Sequence, residues 1–211
     1  EEGALQEDRM EVASKAINYL NETEEFNIDE FEMTALGEPD RVQKFKEYKE
    51  NFEEEHGQPL KEKFSVSKKE AEKAGSEGNI AVGSVITLGD TLVARGRNLV
   101  SSTLDVTAHC ETDALRNGGK ALGHVDFSGH ALYTTAEPCP MCCGAIMASG
   151  ISMVVMGARP EPSQRRYGDY TIEKLIQLAG FEQKLQVVTG ILPQVCADLR
   201  RQWGERNANN A

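Results

Sequence analysis

From residue 80 onward this 211-residue sequence predicts an α/β fold, a layered sheet with helices on both faces. Three observations lead there. Short β-type runs alternate with helical stretches, Gly, Pro and Asn fall between them, and the charge is so unevenly spread that the first third reads as a separate segment. Residues 1–74 carry 21 acids against 11 bases and no cysteine, whereas residues 75–211 carry 13 acids against 12 bases. Almost all of the net charge of −11 therefore sits in an N-terminal all-α acidic segment. The boundary is expected at Gly75-Ser76-Glu77-Gly78-Asn79, giving segment 1–74 and domain 75–211.

In the acidic segment, Met10, Ala13, Ala16, Ile17 and Leu20 recur at spacings of three and four, one apolar stripe of a helix. Leu36-Gly37-Glu38-Pro39 reads as a helix end and turn. Val42, Phe45, Tyr48 and Phe52 make a second stripe, and Ser65 or Ser67 caps a last short helix, Ser67-Lys68-Lys69-Glu70 being a capping-box pattern. Ile80 to Leu88 and Leu92 to Arg97 are then two β-type runs joined at Gly89-Asp90, a hairpin signal. A helix is expected from Thr107 to Asn117, stopped by Gly118-Gly119. A strand (Ala131 to Thr135), a helix (Cys139 to Ser149) and a strand (Met153 to Gly157) follow. Tyr170 to Leu178 reads as a helix, Leu185 to Thr189 as a strand, and Val195 to Trp203 as the final helix.

With 39% apolar and 27% charged residues the composition is that of a globular chain. The longest apolar stretch, Ala145 to Met156, is broken by Ser149, Gly150 and Ser152 and is too short to span a bilayer. No basic-then-apolar leader opens the sequence, and the expected location is the cytoplasm, a reducing setting that suits cysteines used for metal. An acid excess argues against a partner made of phosphates. Confined to residues 1–74, it bears only weakly on the rest.

On the α/β frame stand His109-Cys110-Glu111 and Pro138-Cys139-Pro140-Met141-Cys142. Zinc takes four tetrahedral ligands, and a catalytic site draws three from protein and leaves one for water. Cys139 and Cys142, three apart at a helix start, turn both sulfurs to one side, where the helix N-terminus favours thiolate. His109 at the head of another helix supplies the third ligand, so one Zn2+ per chain is expected. Glu111, two residues on, lies near the open position without being a ligand. A bound water with its pKa lowered to about 7 is a nucleophile, and Glu111 can take its proton and pass it on as a general acid. A lone C-x-x-C would fit a redox pair or a structural zinc equally well. Joined to H-x-E it is the pattern of zinc nucleobase deaminases.

Residues 80–206 resemble the TadA-type branch of the cytidine deaminase superfamily, which includes tRNA adenosine, guanine and cytosine deaminases. The resemblance runs through Ala81-Val82-Gly83-Ser84-Val85, Gly96-Arg97-Asn98, Thr107-Ala108-His109-Cys110-Glu111, Glu137-Pro138-Cys139-Pro140-Met141-Cys142-Cys143-Gly144-Ala145, Val154 to Arg159 and Gly190-Ile191-Leu192. It implies a three-layer α/β/α sandwich around a mixed five-stranded sheet, and a homodimer paired through Gly144 to Ser149. It also implies substrate contacts at Asn98, Ala108, Ala136 and Asp105, the last beside nucleic acid in the tRNA enzymes. Residues Val12 to Leu20, Phe45 to Lys49 and Phe64 to Ser67 resemble, more weakly, the C-terminal part of the nucleoid-associated YejK family; the simpler reading is an acidic helical spacer or docking surface.

This sequence departs from the family pattern in places. Lys61 to Ala74 is strongly polar where the first helix is usually amphipathic, so the core is expected to borrow apolar residues from the N-terminal helices. Cys110 stands where a small Ala is common, and Cys110, Cys143 and Cys196 are expected as packed thiols. His56, His124 and His130 are expected at the surface, Arg165-Arg166-Tyr167 and Arg200-Arg201 as solvated faces, and Trp203 as packing. Three functions remain open: deamination of a free nucleobase or nucleoside, adenosine-to-inosine deamination in tRNA or single-stranded nucleic acid, and an idle zinc-containing binding module. Glu111 speaks against the last, because a structural zinc has no use for that carboxylate.

Overall fold

A computed structural model of the chain describes residues 58–160, 163 and 165–208. The helices expected between Met10 and Phe52, His56 and most of the YejK-like stretch lie outside these residues. Compact units divide between Leu60 and Lys61, upstream of the division at residue 74/75 that composition suggests. The reason is helix α1, Gln58–Ser76, continuous through the expected cap at Ser67. Polar on its outer side, it buries Phe64, Ala71 and Ala74, and Ser67 Oγ donates to the Tyr133 carbonyl at 3.3 Å. Phe64, two alanines and the buried Ser67 and Glu70 seat a helix whose average composition looks like a linker.

Five strands follow: β1 (Gly83–Leu88), β2 (Thr91–Arg97), β3 (Ala131–Ala136), β4 (Met153–Ala158) and β5 (Gln186–Val188), in the order β2-β1-β3-β4-β5. β1 runs antiparallel to β2 and β3, and β3, β4 and β5 are parallel, so the sheet is mixed. The helices are α2 (Val100–Thr103), α3 (Cys110–Leu122), α4 (Pro140–Ser149), α5 (Ile172–Leu178) and α6 (Pro193–Ala208). Side chains alternate between the two faces of each strand. Ile86, Leu132, Val154 and Met156 point to the face where Ala114, Cys143, Ile146, Ile172 and Ile176 of α3, α4 and α5 complete the main core. Gly83 and Gly157 point the other way, Gly83 against the α1 backbone and Gly157 against Phe64 and Cys196 of α1 and α6. The result is a three-layer α/β/α sandwich.

Two glycines expected to end α3 do not. The helix runs on to Leu122 and stops at Gly123, whose φ of 75° carries the left-handed cap. Gly118 is there for space: a Cβ would sit 2.7 Å from the Phe127 ring. His130 is also a correction. It is buried, edge-on to Phe127, with Nδ1 3.1 Å from the Ser128 carbonyl, because the Phe127–His130 turn folds inward beneath β3. His124 is exposed, and Cys110, Cys143 and Cys196 are buried thiols. Among the described residues no helix is long and apolar enough to cross a membrane.

Candidate active site

The site forms where α3 and α4 begin, on one face of the sheet. His109 and Cys139 are the N-cap residues of these helices, both in extended backbone, and neither side chain caps its own helix. Pro140 in the first turn of α4 presets its direction. Both side chains are thereby released toward a common point, which Cys142 reaches from one turn further along α4. Cys139 Sγ lies 3.6 Å from Cys142 Sγ and 3.6 Å from His109 Nδ1, and Cys142 Sγ lies 3.5 Å from His109 Nδ1. Among the described residues this is the one group of three or more His, Cys, Asp or Glu donors close enough to share a metal ion.

The triangle can be tested against zinc. Tetrahedral bonds of about 2.3 Å to sulfur and about 2.05 Å to nitrogen place two sulfurs about 3.8 Å apart and sulfur and nitrogen about 3.6 Å apart. The three edges match within about 0.2 Å, the tolerance for a metal site. The protonation pattern fits as well. The hydrogen bond shared with Cys142, assisted by His109, lowers Cys139 to about 4, against the cost of its partial burial. Cys142 is pushed up because its proton is held between the two sulfurs and because it is buried. His109 is raised by its hydrogen bond to Cys139, against burial and against the nearby Arg166 charge. One sulfur thus already favours the thiolate form, and a divalent cation would displace the remaining protons.

Glu111, buried in the first turn of α3, accepts a hydrogen bond from the Thr134 hydroxyl at 3.0 Å through Oε1. Asp113 Oδ2 accepts from the Arg97 backbone at 3.1 Å and ties this turn to β2. Asn98 is buried just after β2, its N–H donating to the Val82 carbonyl and its Oδ1 accepting from Val100 N at 3.2 Å. Ala136 is buried at the end of β3, paired with Ala158. The Ala108 backbone is engaged within the loop, its N–H with the Asp105 carbonyl and its C=O with Leu99 N. Asp105 is also used locally: Oδ1 accepts from Thr107 N at 2.8 Å and Thr107 Oγ1 at 2.7 Å. Those hydrogen bonds hold its carboxyl below the usual carboxylate range.

Sequence reasoning missed several supports. Thr134 is one, and the alternation Leu132, Thr134, Ala136 along β3 was the available signal. Tyr170 is another, its hydroxyl donating to the Pro138 carbonyl at 2.8 Å beside Cys139. Glu137 accepts from Ile172 N at 3.0 Å and lies 3.4 Å from Arg159 Nε, with burial pushing its carboxyl up against those contacts.

Residues 58–158 match the family model described as the cytidine and deoxycytidylate deaminase zinc-binding region. The chain is 36% identical over 131 residues to the tRNA-specific adenosine deaminase of Bacillus subtilis, covering 62% of this chain and 80% of that protein. A solved structure from work on A-to-I editing by tRNA:A34 deaminases at the wobble position aligns with a TM-score of 0.57 at 28% identity, covering 65% of this chain and 98% of its own. The guanine deaminase of Nitrosomonas europaea aligns with a TM-score of 0.61 at 22% identity over 69% of this chain and 84% of its own, a likeness of fold.

Proposed function

The chain belongs to the TadA-type branch of the cytidine deaminase superfamily, and from that premise we propose that His109, Cys139 and Cys142 hold one zinc ion and Glu111 moves the protons of the reaction. The enzyme is a zinc-dependent hydrolytic deaminase of nucleobases or nucleosides: water replaces the exocyclic amine and ammonia leaves. The finer assignment is adenosine in tRNA or single-stranded nucleic acid, converted to inosine. The observation that carries the chemistry is a ligand triangle of zinc dimensions with a buried carboxylate two residues beyond its histidine. The identity to a tRNA-specific adenosine deaminase supports the substrate.

Zinc bound at the triangle supplies a Lewis acid that acidifies a water molecule. Glu111 accepts the proton lost by the attacking water and delivers it to the ring nitrogen; it then takes the remaining hydroxyl proton as the C=O bond forms and passes it to the departing amine, which leaves as ammonia. Glu111 stands in the first turn of α3, two residues after His109. Asn98 and the ends of β3 and the 105–109 loop, with Ala136, Ala108 and Asp105, are read as the walls against which the base lies. The acidic residues 1–74 are read as an appendage to the catalytic residues 75–211, a functional division of charge even though α1 from Lys61 onward belongs to the second unit. The exposed face of α4, with Met141 and Ala148 exposed and open space beside Gly144, is read as the homodimer contact. The setting is cytoplasmic, consistent with free thiols among the described cysteines.

A free base or nucleoside is the second reading, favoured by the near-neutral charge of residues 75–211, since a polynucleotide normally meets a basic groove. Ammonia release is measured on an adenosine-bearing tRNA anticodon stem, on guanine, cytosine and adenine, and on their nucleosides. The RNA is expected to react fastest, with a rate falling steeply as salt rises. A free base turned over fastest, with no salt dependence, overturns the tRNA assignment. Glu111→Ala is expected to keep one zinc per chain and lose roughly 10²–10⁴ in rate.

A further inference from the structure

Glu111 has one oxygen committed before any substrate arrives. Thr134 lies within β3, and its hydroxyl donates to Glu111 Oε1 at 3.0 Å. A threonine hydroxyl has one proton to give. With that proton on Glu111, the contact between Thr134 Oγ1 and Cys110 Sγ at 3.8 Å takes its hydrogen from the thiol. A thiol also has one proton, so the contact between Ser84 Oγ and Cys110 Sγ at 3.1 Å runs from hydroxyl to sulfur. Ser84 thus donates to Cys110, and the thiol proton has two acceptors in reach, Thr134 Oγ1 and the Glu111 carboxylate, so Cys110 supports Glu111 through the threonine or directly. Ser84 and Thr134 are Cα partners in the β1–β3 register and stand on the face that carries α3. None of the four side chains is more than 4% exposed, so water does not compete for these bonds.

We infer that Thr134, backed by Cys110 and Ser84, is a positioning residue that fixes Glu111 Oε1 and leaves Oε2 as the oxygen that carries protons. The inference rests on the proton-moving role proposed for Glu111. Linked hydrogen bonds polarise one another in a site closed to water, which firms the bond to Glu111. Without it the carboxylate is free to turn about its terminal torsion, which is broad for Glu. A valine at 134 keeps the shape and removes only the hydroxyl.

The test compares wild type, Thr134→Val, Thr134→Ser, Cys110→Ala, Thr134→Val with Cys110→Ala, and Glu111→Gln. Ammonia release is followed from the adenosine-bearing anticodon stem and from guanine, with zinc content and melting temperature measured on each protein. Thr134→Val is expected to lower kcat roughly 10- to 100-fold with KM within about twofold and zinc retained, the signature of a misaimed group. Thr134→Ser is expected to restore kcat to within about threefold of wild type. Cys110→Ala is expected to lower kcat a few-fold alone and, combined with Thr134→Val, to give a loss smaller than the product of the two, because both act on the same carboxylate. A Thr134→Val protein with wild-type kcat beside an inactive Glu111→Gln overturns the positioning role and leaves the Glu111 reading standing. A Glu111→Gln protein as active as wild type overturns that reading itself. Lost zinc or a kcat loss that serine does not rescue marks a packing role and also overturns the inference. Should Thr134→Val fail to fold, Cys110→Ala with unchanged kcat overturns it.

Discussion

Replacing Gly96 by alanine should disable catalysis from the far side of the helix that carries Glu111. A Cβ at this position would lie 2.2 Å from both Ala114 N and Cys110 O and 2.7 Å from Ala114 Cα. Ordinary contact begins near 3.4 Å, and these atoms are backbone that no rotamer change can move. The shortfall of about 1.2 Å must be met by lifting the start of α3 off β2, and Glu111 moves with it. Misplacement of about 1 Å costs on the order of 100-fold in rate, and over-packing of this kind costs about 1–3 kcal/mol in stability. Gly83→Ala is the control. Its Cβ would meet Ser67 O at 2.3 Å and Ala71 N at 2.4 Å, a clash of the same size against α1 on the opposite face. Both variants should lose similar stability in denaturant titrations, and only Gly96→Ala should lose most of its kcat and part of its zinc. A Gly96→Ala protein with wild-type melting and kcat refutes the reasoning, as does a Gly83→Ala protein equally inactive at equal stability.

Three further outcomes follow from the same structure. In protein stripped of zinc by a chelator, iodoacetamide at pH 6 should alkylate Cys139 first, since its thiol is lowered to about 4 while Cys110, Cys142, Cys143 and Cys196 are all raised; mass mapping that finds another cysteine first contradicts this. Gly119→Ala should leave stability equal or raise it by up to about 1 kcal/mol, as expected of a helix interior with room for a methyl group. Gly123→Ala should cost about 1–2 kcal/mol because its φ of 75° is left-handed, and equal melting temperatures for the two would count against the cap. Asp105 should titrate below the ordinary aspartate value because Thr107 hydrogen-bonds its ionised form. A depressed folded pKa gives stability that is present above the unfolded pKa and lost as pH falls through the folded one. Carbon-13 NMR should see the midpoint rise in Thr107→Val, and a midpoint that stays put shows that Thr107 is not the cause.

The donors of the metal site could be read from the chain because their arrangement is local. Cys139 and Cys142 are one helical turn apart, His109 and Glu111 share a helix start, and thiolate, imidazole and carboxylate have few other uses in such a pattern. The order of strands and helices was legible for a similar reason, since periodicity and turn residues are properties of neighbours in sequence. What neighbours do not show is which residue fills a space or completes a hydrogen bond from elsewhere in the chain. Gly118 reads as a helix stop until Phe127 is seen against it, and His130 reads as a surface residue until the turn folds under β3. The polar stretch Lys61 to Ala74 resembles a spacer until Phe64 is buried and Ser67 reaches Tyr133, 66 residues away.

By itself, then, the sequence singled out His109, Cys139 and Cys142 as the donor set, Glu111 as the proposed proton carrier and the layered α/β class, since each depends on residue type and short spacing. The tertiary structure alone decided the 3.5–3.6 Å edges of the donor triangle, the end of α3 at Gly123 and the hydrogen bond from Thr134 to Glu111. Those depend on close approach between segments far apart in the chain, which only the packed sheet and its helices bring about.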